Sequence, residues 1–264
     1  VALLGEEVVP FEITDVTTGR VTRGHRFLGG EATIAQAGDY VEALRAQHVL
    51  VDVEERQALI LNQIRELAEA KNWNIAIKDD LLEEVLFLVE TPTALFGTFE
   101  ESFLHIPQDV LITSMREHQR YFPVLDAEGK LLPFFVTVRS GDDRSLDVIA
   151  KGNEKVLRAR LSDAKFFYEE DQKMQIKDAL SKLENVVFHE ELGSTGDKVR
   201  RIRQSADRIS SLLNVSAETA EDISRTADIC KFDLVTQMVY EFPELQGVMG
   251  EDYARKAGEK EAVA

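Results

Sequence analysis

The spacing of apolar residues indicates a first part of the chain with strands and helices, followed by a part that is helical. Before residue 140, stretches rich in β-branched and aromatic residues alternate with stretches whose apolar residues recur every three or four positions. The predicted strands cover 7–35, 48–52 and 91–99, and the predicted helices cover 39–47, 53–72, 79–89 and a segment that begins near Pro107. The segment YFPVLDAEGKLLPFFVTV predicts a hairpin with DAEGK as its turn, and Pro92 favours an edge position for its strand.

Helical spacing dominates after Gly141. The predicted helices cover 153–171, 176–184, 196–213 and 217–240, and the only further strand predicted is NVVF, 185–188. Asn153 follows a glycine and is predicted as an N-cap. This change in pattern predicts an α+β fold with two domains, a mixed-sheet domain over 1–175 and an all-helical domain over 176–264.

The segment TSMREHQRYF, residues 113–122, combines several groups capable of chemistry on one predicted helix. Leu111, Met115, His118 and Phe122 are spaced to share one apolar face, which predicts that His118 is packed in the core rather than a ligand. The opposite face carries two arginines. They are either part of a solvated face or a one-turn clamp for phosphate, a role that suits the planar guanidinium fork.

Two further helices carry local excesses of positive charge. Residues 151–160 contain four basic side chains and one acidic, and the buried stripe predicted for this helix is Leu157, Leu161, Ala164 and Tyr168. Residues 197–208 contain five basic and two acidic side chains. There, the spacing predicts burial of Val199, Ile202, Ala206 and Ile209 and exposure of Lys198, Arg201 and Arg208. Each helix is either a solvated face balanced by pairs such as Glu154 with Arg158, or a contact for an RNA backbone.

The overall charge limits where a nucleic acid could bind. The formal net charge is −17, so the surface as a whole repels phosphate, DNA binding is not expected, and any RNA contact must come from a local basic patch. The single cysteine allows no internal disulfide, which fits a reducing cytoplasm. No apolar run approaches 18 residues, so no membrane span is predicted. The absence of an initiator Met and of a basic leader suggests a fragment of a longer protein.

Motifs for metal binding or nucleophilic catalysis are lacking. The five histidines are scattered without HExxH or CxxC spacing, and neither GxSxG nor a P-loop occurs. The glycine-rich segment GHRFLGG, residues 24–30, does not have the GxGxxG form and is a weak nucleotide signal. We therefore predict no catalytic residue and no metal ligand in this chain.

Five blocks nevertheless resemble one known family. GRVTRGHRF, ITSMREHQRYFPV, GNEKVLRARLSDAKFFYEED, VVFHEELGS and DLVTQMVYEFPELQGVMG occur in the order and spacing typical of the beta subunit of bacterial heterotetrameric glycyl-tRNA synthetase. The resemblance covers residues 19 to 250, so it includes nearly the whole chain.

The resemblance implies a division of labour between two subunits. In that family the alpha subunit carries the class II catalytic core with ATP, Mg and glycine, whereas the beta subunit mainly binds glycine tRNA. It further implies a B3/B4-like α/β domain followed by an HD-like helical domain. A metal-dependent HD site needs paired histidines and aspartates, but residues 224–238 offer Asp228, Lys231 and Asp233 without a histidine, and His189 has no evident partner. Neither a metal site nor hydrolase activity is therefore expected, and the chain alone is expected to need no cofactor.

The resulting hypothesis is a tRNA-recognition fragment that supports ATP-dependent glycyl-tRNA formation and is inactive alone. The candidate contacts to tRNA phosphates are Arg23, Arg116, Arg120, Lys155, Arg158, Arg160, Lys198 and Arg201. Phosphate contacts of this kind fix the register of an RNA rather than read its sequence. The alternative is an interaction module in which these arginines form intramolecular ion pairs or dock the alpha subunit.

Overall fold

Short antiparallel hairpins open the chain, as the β-branched residues and turn signals of 7–35 predict. The computed structural model describes residues 1–264. The first pairs are β1 (Leu3–Leu4) with β2 (Glu7–Val8), β3 (Glu12–Ile13) with β4 (Val16–Thr17), and β5 (Val21–Arg23) with β6 (Glu31–Thr33). The tip of the second hairpin, Thr14 and Asp15, has two consecutive positive φ values, as a tight two-residue turn requires.

A four-stranded sheet follows in the order β7-β9-β10-β8. Its strands are β7 (Asn74–Ile75), β8 (Pro92–Thr98), β9 (Phe122–Leu125) and β10 (Leu131–Ser140). The predicted hairpin is confirmed as β9 and β10, and Pro92 lies on an edge strand as expected. Every pairing is antiparallel, so the expectation of a mixed sheet is wrong in this detail. The tight turn between β9 and β10 requires that these two strands be antiparallel, and β8 pairs antiparallel with the other edge of β10.

Helices precede and follow these strands. The first three are α1 (Tyr40–Arg45), α2 (Val53–Lys71) and α3 (Asp79–Leu88). The predictions over 53–72 and 79–89 are thus confirmed, and Asp52 caps α2 by accepting a bond from the Glu55 backbone N–H. Residues 48–52 were predicted to form a strand, but they do not form one. The Leu50 carbonyl accepts from buried Arg56 and its N–H donates to Glu90, so neither group is available for a sheet ladder.

The core of this part lies between α2, α3 and the sheet. Its buried members are Ile60, Ile64, Leu81, Leu82, Val85, Leu86, Val89, Phe122, Val124 and Val136. Trp73 packs on its margin between Phe96 and Phe134, with ring centroids 5.3 and 4.7 Å away. Apolar stripes on two helices therefore pack against one face of the sheet, which gives the two layers around one core that α+β architectures have.

Two further helices are α4 (Gln108–Gln119) and α5 (Leu146–Asp171). The helix predicted near Pro107 is confirmed as α4. Asn153 is not an N-cap, because α5 begins seven residues earlier, after Ser145 in a left-handed conformation. An interior glycine such as Gly152 costs a helix only about 1 kcal/mol, so it does not stop a helix that packs well.

The remaining chain is helical apart from one small hairpin, β11 (Val187–His189) with β12 (Gly193–Ser194). Its helices are α6 (Ile176–Leu183), α7 (Thr195–Leu213), α8 (Ala217–Ile229), α9 (Gln237–Glu241) and α10 (Val248–Lys256). Four short 3-10 helices lie at Ala37–Asp39, Glu101–His105, Phe232–Val235 and Pro243–Leu245. The expected α+β class, with a sheet region followed by helices, is confirmed.

The helix predicted over 217–240 is interrupted because a buried carboxylate from another element caps its second half. Asp171 accepts bonds of 2.8 Å from the backbone N–H groups of Gln237 and Met238, and one of 3.1 Å from the Tyr253 hydroxyl. Burial and the Asp171 charge together raise the pKa of Tyr253, so this hydroxyl keeps its proton and donates. Three donors thus satisfy one buried charge, as burial in a low-dielectric interior demands.

The chain forms two compact units, Val1–Glu101 with Met115–Leu157, and Ser102–Ser114 with Arg158–Ala264. The first contains the sheet and the second contains α6 to α10. These limits fall within α4 and α5. The division at 175 into a B3/B4-like and an HD-like domain stays a prediction.

Candidate nucleic-acid interface

The arginines of the opening helix segment face carboxylates. Arg116 lies in the last turn of α4, and its Nη2 is 3.0 Å from Oδ2 of Asp80. Arg120 pairs through Nε with Glu84 and donates to the backbone carbonyl of Glu117. Asp80 and Glu84 are four residues apart on α3, so they lie on the same face of that helix. Two arginines and two carboxylates therefore form a ladder within the first unit.

This ladder has properties of a structural contact. The Arg116 side chain is only 13% exposed, which leaves little of its guanidinium accessible to a phosphate. A bond from the Leu81 backbone N–H and the charge of Arg116 lower the pKa of Asp80, so this carboxyl stays ionised. Arg120 adopts a left-handed conformation with φ of 58°, which reverses the chain directly after α4.

His118 does not lie in the core, contrary to the prediction. His118 is exposed, whereas Leu111, Met115 and Phe122 on the same predicted face are fully buried. The helix ends one residue after His118, at Gln119. Spacing predicts a face but not how far along the helix its covering layer extends.

The buried stripe predicted on α5 is confirmed, since Leu157, Leu161 and Ala164 are fully buried and Tyr168 is 2% exposed. In the first unit, Lys155 is exposed and forms no ion pair. In the second unit, Arg158 and Arg160 are exposed. Glu154, the predicted partner of Arg158, accepts bonds of 2.9 and 3.0 Å from the N–H and hydroxyl of Thr98.

Helix α7 separates its basic residues onto two faces. It begins with a capping box, in which Ser194 accepts from the Asp197 N–H and the Asp197 carboxylate accepts from the Ser194 N–H. Arg200 then pairs with Glu184 and with Asp197, and Arg203 pairs with Asp207 and with Asp228. These two arginines are committed to carboxylates.

The other face of α7 is open. Lys198 and Arg201 have no carboxylate partner: the Lys198 ammonium lies 3.9 Å from the Phe188 ring centroid, and Arg201 donates to the Leu192 carbonyl at 2.9 Å. Arg208 is exposed and has no partner. We call Lys198, Arg201 and Arg208 the α7 basic face; their spacing of three and seven residues aligns them along the helix.

The prediction for α7 was partly wrong and incomplete. Ile209 is 55% exposed rather than buried, and Lys198 is half-buried against Phe188 rather than exposed, whereas Val199 is buried as expected. Phe188 and Leu192, which contact the basic face, come from the β11–β12 hairpin and were not singled out. The exposed aromatic in VVF beside a basic helix was the available signal, since such pairs are typical of nucleic-acid contacts.

The last candidate, Arg23, lies on β5 in the first unit, where it is exposed and forms no ion pair. It directly precedes the GHRFLGG loop.

The residues compared with an HD site have structural partners. Asp228 pairs with Arg203, and buried Asp233 accepts from the Gly247 N–H at 2.6 Å. His189 is exposed and accepts from the Glu191 N–H. The structure brings together no group of three or more side chains of the metal-ligating types His, Cys, Asp and Glu. None of the helices has the combination of length and apolar content needed to cross a bilayer.

Comparison with known proteins identifies the chain. A family model described as "Glycyl-tRNA synthetase beta subunit" matches residues 1–264, which places the chain among the subunits of aminoacyl-tRNA synthetases. More specifically, it belongs to the glycyl-tRNA synthetase beta subunit family, which confirms the resemblance noted in the sequence.

Curated relatives agree with this assignment. The chain is 56% identical to the glycine–tRNA ligase beta subunit of Bacillus subtilis over 264 residues, all of this chain and 39% of the relative. It is 60% identical to the corresponding subunit of Halalkalibacterium halodurans, covering 38% of that protein, and 56% identical to that of Listeria monocytogenes, also covering 38%. The chain thus spans somewhat over a third of the length of these relatives.

Proposed function

We propose that this chain supplies tRNA recognition to a glycine–tRNA ligase. ATP, Mg and glycine bind on a separate alpha subunit, and this chain holds the glycine tRNA so that its 3′ end reaches that catalytic centre. Family membership supports the ligase, since the relatives are named as beta subunits of that enzyme. A partner for the beta subunit and a tRNA substrate follow from that name.

The observation that carries the RNA contact is the contrast between the two faces of α7. Arg200 and Arg203 are committed to carboxylates, whereas the α7 basic face has three cations without a carboxylate partner, of which Arg201 and Arg208 are exposed, in a chain with net charge −17. A row of aligned cations without carboxylate partners concentrates positive potential along this face of α7. Such a local row attracts a polyanion that the remaining surface repels.

Within each unit, the exposed or half-buried candidate cations would contact phosphates independently. Arg23 and Lys155 are the candidates in the first unit, and Arg158, Arg160, Lys198 and Arg201 are those in the second. Cations of this kind position a duplex by its backbone and shape, as expected for A-form RNA. Arg116 and Arg120 instead take a structural role, because their guanidinium groups already bind Asp80 and Glu84.

A second candidate function is docking of the alpha subunit. Exposed apolar side chains favour it: Val187 is 74% exposed beside the basic face, and Leu212 and Leu213 at the end of α7 are 72% and 69% exposed. Apolar surface of this kind is typical of protein–protein contacts.

Charge reversal in the intact enzyme tests the proposal. Lys198→Glu, Arg201→Glu and Arg208→Glu together should lower the slope of log affinity for glycine tRNA against log salt by about two to three, because each lost phosphate contact removes roughly one unit. The matched control reverses Arg65, Lys130 and Lys177, which are exposed and unpaired and give the same change in net charge. An equal change of slope in both variants would mean that the effect comes from net charge alone. Loss of assembly with the alpha subunit would favour the docking function.

A further inference from the structure

The loop between β5 and β6, residues 24–30, presents the most exposed large apolar side chain of the molecule. Phe27 at its tip is 83% exposed. Arg26 lies beside it, with its guanidinium carbon 5.8 Å from the ring centroid. A single exposed phenylalanine on a mobile loop would carry no functional argument, so the contacts that hold this loop in place matter.

A buried histidine holds the loop from inside. His25 is only 3% exposed, and its Nδ1 accepts bonds of 3.2 Å from the backbone N–H groups of both Phe27 and Leu28. With Nδ1 as acceptor, the neutral ring carries its proton on Nε2, which donates to the Ser140 hydroxyl at 3.2 Å. Ser140 Oγ also accepts from the Glu90 N–H at 3.0 Å. The tip is therefore anchored to the end of β10.

A second anchor is Gln47, just after α1. Its carbonyl accepts from the His25 N–H at 2.9 Å, and its side-chain Oε1 accepts from the Gly30 N–H at 2.7 Å. The backbones are so close that a Cβ at Gly24 or Gly29 would lie 2.3 Å from Gln47 atoms. Glycine is thus required at both positions by close approach, and the loop is fixed at its base as well as its tip.

The charge of the hairpin is opposite to that of the molecule. Residues 19–33, GRVTRGHRFLGGEAT, contain three arginines and one glutamate in a chain of net charge −17. Arg20 is engaged by backbone carbonyls, including that of Ala35 at 2.6 Å. Arg23 and Arg26 are exposed and form no ion pair. Arg26 lies beside the exposed ring, and Arg23 ends the strand that leads into the loop.

We infer that the 24–30 loop is a base-stacking element, in which Phe27 stacks on an unpaired nucleotide of the tRNA while Arg23 and Arg26 contact the adjoining phosphates. This rests on the proposed function. An aromatic ring with nearby cations is a common way to bind an unpaired nucleotide, because every base has a π face and every phosphodiester linkage carries a negative charge. Because the loop backbone is already held in place, less conformational entropy is lost when the ring binds.

The exposed surroundings of Phe27 favour RNA over a protein partner. A protein contact buries an apolar patch, but the exposed side chain shown beside Phe27 is that of Arg26, and Leu28 is half-buried. The loop with the end of β5 offers one ring and two charges, which suits one nucleotide.

Three substitutions of Phe27 in the intact two-subunit enzyme test the inference with a glycine tRNA transcript. Phe27→Ala should weaken tRNA binding by about 5- to 150-fold, the range for loss of one stacked base. Phe27→Leu keeps apolar volume without a π face and should weaken it similarly, whereas Phe27→Trp should retain affinity. The added tryptophan fluorescence of Phe27→Trp, relative to the parent, should be quenched by the transcript.

The contrary outcomes are distinct. Parent-like affinity of Phe27→Ala, or of Phe27→Leu, would overturn stacking while leaving the proposed function intact, provided the α7 charge reversals still change the salt slope. Loss of alpha–beta assembly in Phe27→Ala would also overturn it, in favour of a protein contact. If neither the Phe27 nor the α7 variants change tRNA binding, the proposed function itself fails.

Discussion

The end of α4 and the basic face of α7 are similar as sequence but differ in what their cations contact. Arg116 and Arg120 meet Asp80 and Glu84, which are four residues apart on α3. Lys198, Arg201 and Arg208 meet a ring, a backbone carbonyl and solvent, but no carboxylate. The α4 cations are paired with carboxylates, whereas those of α7 have no carboxylate partner.

The difference shows that local density of arginine does not define a binding site. Its function depends on whether a neighbouring element brings carboxylates at matching spacing. A guanidinium that already has an ionised partner offers a phosphate little, because the existing pair must be broken first.

The largest expected effect is on stability, at Phe122, two residues after Arg120 of the α4 ladder. Phe122 is fully buried in the core of the first unit, so Phe122→Ala should lower the free energy of unfolding by about 3–5 kcal/mol. Leu212→Ala, at the open end of α7, should change it by less than about 0.5 kcal/mol because Leu212 is 72% exposed. Urea unfolding of both variants checks the contrast, and similar losses would remove the distinction between a structural and an open region.

A charge swap across the ladder should have the next largest effect. Arg116→Asp alone places like charges together and should lower the urea midpoint, whereas Arg116→Asp with Asp80→Arg should recover part of the loss. A double-mutant cycle separates this coupling from the single changes. Zero coupling would mean that the observed Arg116–Asp80 contact contributes nothing to the fold.

Acid should weaken the start of α7 through its capping box. The Ser194 backbone N–H, followed by Arg200 and the Ser194 hydroxyl, lowers the pKa of Asp197 from 3.8 to about 2. A carboxyl whose pKa is lower in the folded state stabilises the fold at pH values above its unfolded-state pKa. This stabilisation is lost as the pH falls through the folded-state pKa. Asp197→Asn should therefore be less stable than the parent at pH 6, with the difference shrinking between about pH 4 and pH 2. A difference in urea midpoint that stays constant over this range would contradict the assignment.

The smallest effect is expected where the two helices end. Both end with a residue in the left-handed region, Arg120 with φ of 58° after α4 and Asn214 with φ of 49° after α7. Asn214→Gly should raise the unfolding free energy by at most about 0.5 kcal/mol, because glycine adopts this conformation without strain. Arg120→Gly gains the same relief but loses the contact with Glu84, so it should be destabilising. Unfolding midpoints that rise in both variants would show that the Arg120 contact is dispensable.

The sequence predicted those features that depend on local periodicity. Helix α2 was predicted over 53–72 and observed at Val53–Lys71, and the α5 stripe through Tyr168 is buried as expected. Features that depend on distant partners were not predicted. Nothing near Arg116 in the chain indicates Asp80, and nothing near His25 indicates Ser140, because the fold alone brings these residues together.

The same reason explains why the candidate contacts divided. Spacing could place Lys198 and Arg201 on an exposed face, but the carboxylates that meet Arg200 come from Glu184 as well as from its own helix. Whether a cation is free is a property of tertiary structure.

Arg116 and Arg120 are paired with carboxylates and the α7 basic face is not, so we expect only the α7 basic face to contribute to tRNA binding. Two double variants of the intact enzyme test this: one combines Arg116→Ala with Arg120→Ala, and the other combines Lys198→Ala with Arg201→Ala. Each is titrated with glycine tRNA over a range of salt. We expect the parent slope of log affinity against log salt for the α4 pair, and a slope about two units smaller for the α7 pair. A reduced slope for the α4 pair together with a parent slope for the α7 pair would reverse this assignment.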